Sequence, residues 1–354
     1  MGSASAWELA RRGFSVLVLE RSVPGAEASS AAAGILGAQI EAHAPGPLAD
    51  LSRESRRLYP AWVRALARAT SIDTGYRECG VLKVAFGARD LTKLAREVAW
   101  QKPRPRVLAA RALAKREPEL NPRLRGGVAF DGDARVDPRR LFRALHIAAA
   151  RAGVVFRSGA YVRRVVTENG RAAGVALDDG SIVRGRHVLV AAGSWTSLVE
   201  GLGIAPGAVQ PVRGQIVELE TAEPVLRSVV FGPRAYLVPR DDGRTLIGST
   251  MEFVGYRREV TAAAVRDLLT AAIELVPALG NASLGETWSN FRPYTEDELP
   301  LLGPTHLPGL WLASGHYRNG ILLAPITAAV VGALVRGKRA PVPLAAFAPG
   351  RGAS

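Results

Sequence analysis

The chain has 354 residues, of which 48% are hydrophobic and 22% charged, with 37 Gly, 23 Pro and a single Cys. This composition excludes a disordered chain, a collagen-like fibre and a disulfide-stapled scaffold. At roughly 100–200 residues per domain, the length predicts two domains or two interleaved lobes. Because Cys79 has no partner for an intramolecular disulfide, a reducing, cytoplasmic location is expected.

The net charge of +14 invites a nucleic-acid or membrane-surface interpretation, but the distribution of the charge does not favour it. The 46 basic residues comprise 41 Arg and 5 Lys, and no three of them are consecutive. A basic surface in contact with solvent, without nucleic acid as a partner, is therefore expected. No run approaches the ~18 uninterrupted apolar residues of a spanning helix, and Met1 is followed by small residues and Glu8 rather than by a leader, so membrane insertion is not expected.

The first elements in chain order are a helix over 4–12, which ends at Gly13, and a buried parallel strand over 15–20. A helix followed by a strand predicts a sheet whose own first strand is missing. We expect that strand, with two of the three glycines of a phosphate loop, to lie upstream of a start codon placed too late. If the strand is truly absent, the chain is predicted to be a remnant that holds a dinucleotide poorly.

The later elements are predicted from periodicity and turn residues. Asp137 followed by Pro138 predicts the N-cap and first residue of a helix that runs to Gly153, and Cys79 is placed within a strand. Antiparallel strands between α/β segments at both ends indicate lobes that exchange the chain more than once. The other predictions are a small-residue segment over 28–38, helices over 49–70, 92–100, 261–276 and 321–335, and strands over 79–86, 154–156, 161–166, 172–177, 181–183, 187–192, 214–219, 235–239, 245–248, 286–291 and 309–314.

Two positions carry a first chemical signal. In dinucleotide-binding folds, the last glycine of the phosphate loop lets the helix approach the sheet, and an acid about 20 residues later binds the ribose hydroxyls. Gly2 and Glu20 stand 18 residues apart, with a helix and a strand in the expected order between them. Many α/β units place an acid at a strand end, so this signal is weak by itself.

Five further segments occur in a recognisable order: SAAAG (30–34), VLVAAGSW (188–195), YLVPR (236–240), FRPY (291–294) and GHYRNGILLAP (315–325). With these segments, the chain resembles the D-amino-acid-oxidase-like FAD-dependent oxidoreductases, and within that family the bacterial glycine oxidases of thiamine biosynthesis. The resemblance implies an α/β fold in which a Rossmann-like FAD-binding lobe (1–44, 137–205 and 293–354) is interleaved with a mostly antiparallel α+β substrate lobe (45–136 and 206–292).

The resemblance assigns catalytic roles to Tyr236, Arg292 and Arg318. Arg292 would bind the substrate carboxylate through its planar fork of donors, Tyr236 would add a hydroxyl bond, and Arg318 would lie beside the flavin. If the resemblance is set aside, the residues alone predict that Arg292 forms a surface ion pair, that Tyr236 is an ordinary strand residue and that Arg318 forms an ion pair in the C-terminal lobe.

The resemblance also predicts FAD as the cofactor. The turn 318–320 would point the N-terminus of the last helix, with its free amides, at the negative charge of the reduced flavin. The residues predicted to bind FAD are Gly2, Glu20, Arg21, Ser29, Ser30, Ala33, Gly34, Ile35, Val162, Gly193, His316, Tyr317, Arg318, Asn319, Gly320, Ile321 and Leu322.

The implied reaction is oxidative deamination of glycine or another small amino acid. Molecular oxygen would be the second substrate, the products would be glyoxylate, ammonia and hydrogen peroxide, and the glycine imine would supply thiamine biosynthesis. A D-amino-acid or sarcosine-type dehydrogenase or oxidase is the alternative, and a homo-oligomer is possible. Two departures leave the size of the substrate open: Arg234 replaces a histidine and Ile35 a methionine of the relatives.

The sequence does not favour other kinds of site chemistry. The sequence has no GxSxG elbow, and its five His residues lack metal-ligand spacing. Asp131, Asp133 and Asp137 resemble a calcium loop but lack its glycine and final Glu, so a turn and an N-cap are predicted instead, and no metal. Cys79 is far in sequence from the flavin motifs, which argues against a covalent flavin link.

Overall fold

A computed structural model describes residues 1–351, and this part of the chain forms eight α-helices and eighteen β-strands. The helices are α1 (Gly2–Ala10), α2 (Ala28–Ala31), α3 (Pro47–Thr70), α4 (Ala88–Glu97), α5 (Ala110–Arg116), α6 (Pro138–Arg151), α7 (Ala262–Leu275) and α8 (Gly320–Leu334). The strands are β1 (Leu17–Leu19), β2 (Ile35–Leu36), β3 (Val81–Ala85), β4 (Arg106–Ala109), β5 (Gly126–Phe130), β6 (Ala134–Arg135), β7 (Val155–Arg157), β8 (Val162–Glu168), β9 (Arg171–Leu177), β10 (Ile182–Arg184), β11 (Val188–Val190), β12 (Gln210–Glu220), β13 (Val229–Phe231), β14 (Tyr236–Pro239), β15 (Arg244–Gly248), β16 (Ser283–Tyr294), β17 (Leu301–Pro304) and β18 (Leu310–Ser314).

The largest sheet is eight-stranded, in the order β16-β12-β15-β14-β13-β3-β5-β4. Its neighbouring strands are antiparallel, except for the parallel pair β13 and β3. One face packs on α7, where Val217 and Ile247 of the sheet meet Leu268 and Leu275 of the helix in a buried apolar cluster. Burial of such side chains stabilises the layer by about 1.5–3 kcal/mol each.

Parallel pairing occurs at the other end of the molecule. Strand β1 pairs with β7, and β11 pairs with β18, both in parallel register. The strands β8, β9 and β10 form an antiparallel meander whose first turn, Asn169-Gly170, has the two positive φ angles of a tight hairpin. Parallel α/β pairs together with a large antiparallel sheet confirm the predicted fold class.

Helix α8 forms the centre of the helical layer. It is apolar around its whole circumference and packs against α1 and α3. Among the described residues, the segment Tyr317–Leu334 is long and apolar enough to cross a membrane by length and composition, yet 72% of it is buried inside the protein. It is therefore accounted for as a core helix.

Several predictions about single elements are wrong in detail. Strand β1 is not fully buried, since Leu17 is 44% exposed, and β3 begins at Val81, so Cys79 lies before the strand rather than within it. The helix predicted over 92–100 is α4, which begins at Ala88. The sequence does not predict the short elements β4, β5, β6, β13, β17 and α5, because segments of two to seven residues carry no clear hydrophobic period.

The start of α6 is confirmed. The Asp137 carboxylate accepts hydrogen bonds from the backbone amides of Arg139 and Arg140, and Pro138 occupies the first turn. The neighbouring acids are also held by protein groups: Asp131 pairs with Arg106 and Arg116, so it belongs to a surface ion-pair network.

Candidate active site

Arg292 lies on β16, where its side chain crosses the adjacent strand β12. The guanidinium rests directly on Gly214, where a Cβ atom would lie 2.3 Å from each terminal nitrogen. It donates to the backbone carbonyl of Thr250 (3.1 Å) and to the hydroxyl of Ser249. Among the described residues, no carboxylate pairs with this half-buried guanidinium, so its charge is available to an anionic ligand.

Tyr236 begins β14, directly opposite Gly248 of β15. A Cβ atom at Gly248 would lie 2.4 Å from the Tyr236 hydroxyl oxygen, so only glycine admits the ring there. The two residues that follow Gly248, Ser249 and Thr250, accept hydrogen bonds from Arg292. The Tyr236 phenol and the Arg292 guanidinium therefore both contact the segment 248–250.

Tyr317 and Arg318 belong to the 3₁₀ turn before α8. Arg318 is paired with Glu41 at 2.9 Å. Burial lowers the pKa of Arg318, but the Glu41, Tyr317 and Tyr236 side chains outweigh this effect and hold it above its ordinary value. Burial raises the pKa of Tyr317 against the opposing charges of Arg318 and Arg292, so Tyr317 stays protonated and lies near both arginines.

His316 is the buried neighbour of this turn. It is 3% exposed, and its Nε2 lies 3.1 Å from the hydroxyl of Thr327 in α8. Burial lowers the pKa of His316 to about 3, because a charged imidazole is disfavoured away from water. The ring is therefore neutral and orients the turn rather than supplying charge.

Replacing His316 with Gln is expected to reduce the loss of stability in acid. The unfolded chain takes up the proton near pH 6.5 and the folded chain only near pH 3, so His316 lowers the free energy of unfolding as the pH falls through this window. Between pH 7.5 and 5, the wild type should lose about 2 kcal/mol more than His316→Gln. Urea unfolding of both proteins at the two pH values measures this difference, and parallel losses would contradict it.

A second group of predicted residues gathers at the end of β1. Val162 packs with Leu19 in one apolar cluster, and the Glu20 backbone carbonyl accepts a bond from Ala160 (2.9 Å). The Arg21 guanidinium stacks over the ring of Trp195, 4.2 Å from its centroid, which brings Arg21 close to Gly193. The structure therefore places Glu20, Arg21, Val162 and the turn that begins at Gly193 near one another, and this turn also contacts β16 next to Arg292, where Trp195 packs edge-on against Phe291 at 6.0 Å.

The segment 28–35 connects the two groups. Gly34 has φ +80, and a Cβ atom there would lie 2.0 Å from the backbone oxygen of Val136. The Ala33 carbonyl accepts a bond from Arg240 (2.7 Å), and Ile35 packs in the same cluster as Tyr236. Ser29 and Ser30 lie on the short helix α2.

The N-terminus of α8 is half-buried and lacks a side-chain cap. Asn319 occupies the N-cap position without capping, and Gly320 begins the helix. The carbonyls of Ile321 and Leu322 accept bonds from Tyr59 (3.0 Å) and Ser55 (2.6 Å) of α3. These bonds fix the first turn, and its amides are left to face a ligand.

Gly2 begins α1, and the preceding residue, Met1, packs in the same apolar cluster as Ile321 and Leu322 of the first turn of α8. A Cβ atom there would lie 3.8 Å from Ala191, an ordinary contact. The helix is close to β11 at this point, but the space available does not itself require glycine.

Four residues that support the site were not singled out from the sequence. Ser249 and Thr250 hold Arg292, Glu41 holds Arg318, and Arg240 donates to Ala33 and Val136 from a 4% exposed position. Burial lowers the pKa of Arg240 to about 10. An arginine directly after the strand 235–239 was the one available signal, since charged residues are rarely buried unless paired.

The two departures from the relatives have different surroundings. Arg234 pairs with Glu274 of α7 and is 55% exposed, so it points to the surface. Ile35 faces the cluster that contains Tyr236 and Trp288. Of the two, only Ile35 is positioned to influence the size of a ligand.

The sequence matches a family over residues 1–334, FAD dependent oxidoreductase. With this match over more than nine-tenths of its length, the chain belongs to the FAD-dependent oxidoreductase family. The resemblance identified from the sequence is confirmed. The predicted cofactor, FAD, and the prediction of an oxidoreductase are confirmed with it.

Individual relatives refine this placement. The bifunctional protein ThiO/ThiG of Synechocystis is 39% identical over 97% of this chain, which spans about half (51%) of that protein's length. The glycine oxidase of Geobacillus kaustophilus is 37% identical over 98% of this chain and 93% of its own. The crystal structure of that glycine oxidase has a TM-score of 0.94, at 35% identity and coverage of 99% and 95%.

A second similar structure is named for a different substrate. Iminodiacetate oxidase of a Chelativorans species has a TM-score of 0.89 at 28% identity, with 98% of this chain and 96% of that chain covered. Similarity of this degree confirms the fold and does not determine the substrate.

The geometry of the site is compatible with FAD. The uncapped amides of α8 suit an anionic or carbonyl group, and the positive φ of Gly34 lets the backbone of segment 32–34 lie where a side chain would clash. Glu20 at the end of a parallel strand suits a ribose. Of these features, the segment around Gly34 adjoins the tyrosine, since Ala33 and Ile35 pack in the same cluster as Tyr236.

Proposed function

We propose that this protein catalyses the FAD-dependent oxidation of glycine or another small amino acid to the imine, which water hydrolyses to glyoxylate and ammonia. The observation that carries the proposal is Arg292, a half-buried guanidinium with no carboxylate partner among the described residues. The parallel N–H donors of a guanidinium lie in one plane and fit the two oxygens of a carboxylate.

Tyr236 and Arg292 would hold the substrate by its carboxylate. Thr250 and Ser249 occupy part of the guanidinium fork, which fixes its plane against Gly214 and lowers the entropy lost when a ligand binds. The Tyr236 hydroxyl, which has no hydrogen-bond partner in the part of the chain that the structure describes, would donate to the same carboxylate. Two anchors on one carboxylate orient the Cα–H bond of the substrate.

The charges of the site favour a neutral substrate amine. Arg292 and Arg318 both lie near Tyr317, and the nearby acid Glu41 is already paired with Arg318. Two adjacent cations lower the pKa of a bound ammonium, so the amine would give up its proton to solvent. When bound, FAD supplies the two-electron acceptor for the Cα–H bond, and no side-chain base is needed at Cα.

The residues proposed to hold FAD are those predicted from the sequence. Glu20, Arg21 and Val162, with Gly193, would bind its adenosine end. The segment 29–35 and the first turn of α8, with His316 and Tyr317 behind it, would bind the flavin end. We also propose the lobe boundaries predicted above. Helix α3, within 45–136, packs against α6 and α8 and so would join the two lobes.

We include the thiamine connection in this proposal. The relative named ThiO/ThiG supports a chain that hands the imine of glycine to thiazole synthesis. Oxygen would be the final electron acceptor, with hydrogen peroxide as the second product, in a cytoplasmic location.

The direct test is peroxide yield from purified holoenzyme under air with glycine, sarcosine, D-alanine and iminodiacetate. Stoichiometric peroxide with glycine is expected. Reduction of a quinone analogue without release of peroxide would favour the dehydrogenase alternative. Preference for iminodiacetate would indicate that the substrate is a dicarboxylate. No turnover of any amine by the FAD-loaded protein would refute the proposal.

The methyl group added in Gly214→Ala should displace the Arg292 guanidinium from its position for binding a carboxylate. In Gly214→Ala the new Cβ lies 2.3 Å from both terminal nitrogens of Arg292, so the guanidinium must move while the backbone need not. We expect the KM for glycine to rise about 10- to 100-fold, as for a misplacement of about 1 Å, with little change in Tm.

Gly280→Ala is the matched control, because its Cβ would lie at an ordinary 3.7 Å from Ile273. An unchanged KM in Gly214→Ala would remove Arg292 from the carboxylate site.

A further inference from the structure

Met251 is an exposed residue that also contacts the 3₁₀ turn before α8. It is 59% exposed, and its Sδ accepts a hydrogen bond from the Tyr317 hydroxyl at 2.9 Å. Its predecessor, Thr250, holds Arg292 through the backbone carbonyl. The exposed Met251 side chain therefore lies next in the chain to a residue that holds the proposed substrate anchor, and its sulfur contacts the turn before α8.

We propose that Met251 is an oxidation site, at which hydrogen peroxide converts the thioether to the sulfoxide and thereby disturbs the Tyr317–Arg318 turn. The source of the peroxide rests on the proposed function, since each oxidase turnover would release one molecule of it near this sulfur.

The chemistry needs only the sulfur and the peroxide. A lone pair of Sδ attacks one peroxide oxygen; the S–O bond forms and the O–O bond breaks. Sulfur is oxidised by two electrons and the peroxide is reduced, its second oxygen leaving as water after a proton moves to it. Thioethers need no prior deprotonation, so exposure decides which methionine reacts.

The other sulfur atoms of the chain are less accessible to this reaction. The sequence contains only two methionines, and Met1 packs against two apolar clusters. Burial raises the pKa of the Cys79 thiol, which keeps the reactive thiolate scarce. Exposure therefore singles out Met251.

The contact with Tyr317 converts oxidation into a functional change. At 2.9 Å there is no space for an oxygen atom between Sδ and the hydroxyl. Tyr317 also packs edge-on against Tyr294 at 5.0 Å and has φ +44, so the ring has little freedom to move without its backbone. An oxygen added at the lone pair that faces Tyr317 would displace the 317–319 turn or withdraw residue 251 from it. An oxygen added at the other lone pair makes the sulfur electron-poor, which weakens its hydrogen bond from Tyr317 and loosens the same contact.

The test treats FAD-loaded protein with reagent hydrogen peroxide and follows peptide masses, FAD content, Tm and activity over time. The peptide containing Met251 is expected to gain one oxygen atom first, with loss of activity and a lower Tm in proportion. Met251→Leu should lose its own starting activity at least about tenfold more slowly, whereas Cys79→Ser should behave as the wild type. Treatment with a methionine sulfoxide reductase should restore the wild type.

Oxygen uptake at Cys79 or Met1 with Met251 intact would overturn the proposal, as would oxidised Met251 without change in activity or Tm. A second arm replaces the reagent with turnover of glycine, with and without catalase. Failure of turnover alone to generate peroxide refutes the proposed function, and the reagent arm still decides the fate of Met251.

Discussion

Arg292→Ala is expected to raise the KM for glycine by about 100- to 3,000-fold while leaving FAD content nearly unchanged. Removing one side of a charge-assisted carboxylate pair costs about 3–5 kcal/mol, because the other charge is left unpaired, and 1.4 kcal/mol is a factor of ten. The Thr250 and Ser249 groups cannot replace the lost charge. Steady-state kinetics with glycine measures the change.

Arg292→Lys should recover little of this loss, since an ammonium cannot form the planar fork. Arg184→Ala is the control: Arg184 pairs with Glu168 on the surface and is 62% exposed, so its loss should leave the KM unchanged and alter stability by at most ~1 kcal/mol. A change of less than fivefold in Arg292→Ala would remove the main argument for an amino-acid carboxylate as the ligand.

Gly34→Ala is expected to lower the free energy of unfolding by about 2–4 kcal/mol and to reduce FAD content. Two costs add: alanine is strained at φ +80, and its Cβ would lie 2.0 Å from the backbone oxygen of Val136. Gly34 and Val136 are joined by a backbone hydrogen bond of 2.9 Å, so the clash cannot be relieved by a side-chain rotation. Urea unfolding and flavin absorbance measure the two effects.

Gly13→Ala is the control that measures backbone strain without a steric clash. Gly13 has φ +85 with nothing within 4 Å of the added Cβ, so this variant carries the backbone strain alone, about 1 kcal/mol. Equal destabilisation of the two variants would show that the approach to Val136 is unimportant.

Local signals were sufficient where a residue and its partner are close in sequence. The cap of α6 by Asp137, the hairpin turn at Asn169-Gly170 and most long elements follow from spacing and turn chemistry. The short strands β4, β5 and β13 did not, because each acquires its conformation from neighbours in the eight-stranded sheet rather than from its own few residues.

The sequence by itself determined the family and the cofactor, and it supplied the candidate site residues within the family motifs. These depend on residue types at fixed spacing along the chain. Only the tertiary structure decided which of these side chains are free to bind. Arg292 is held by two neutral groups whereas Arg318 is paired with Glu41, and residues 292 and 318 find those partners 42 or more positions away in the chain. Pairing of charges depends on distances through space, and a pattern of spacing along the chain does not contain them.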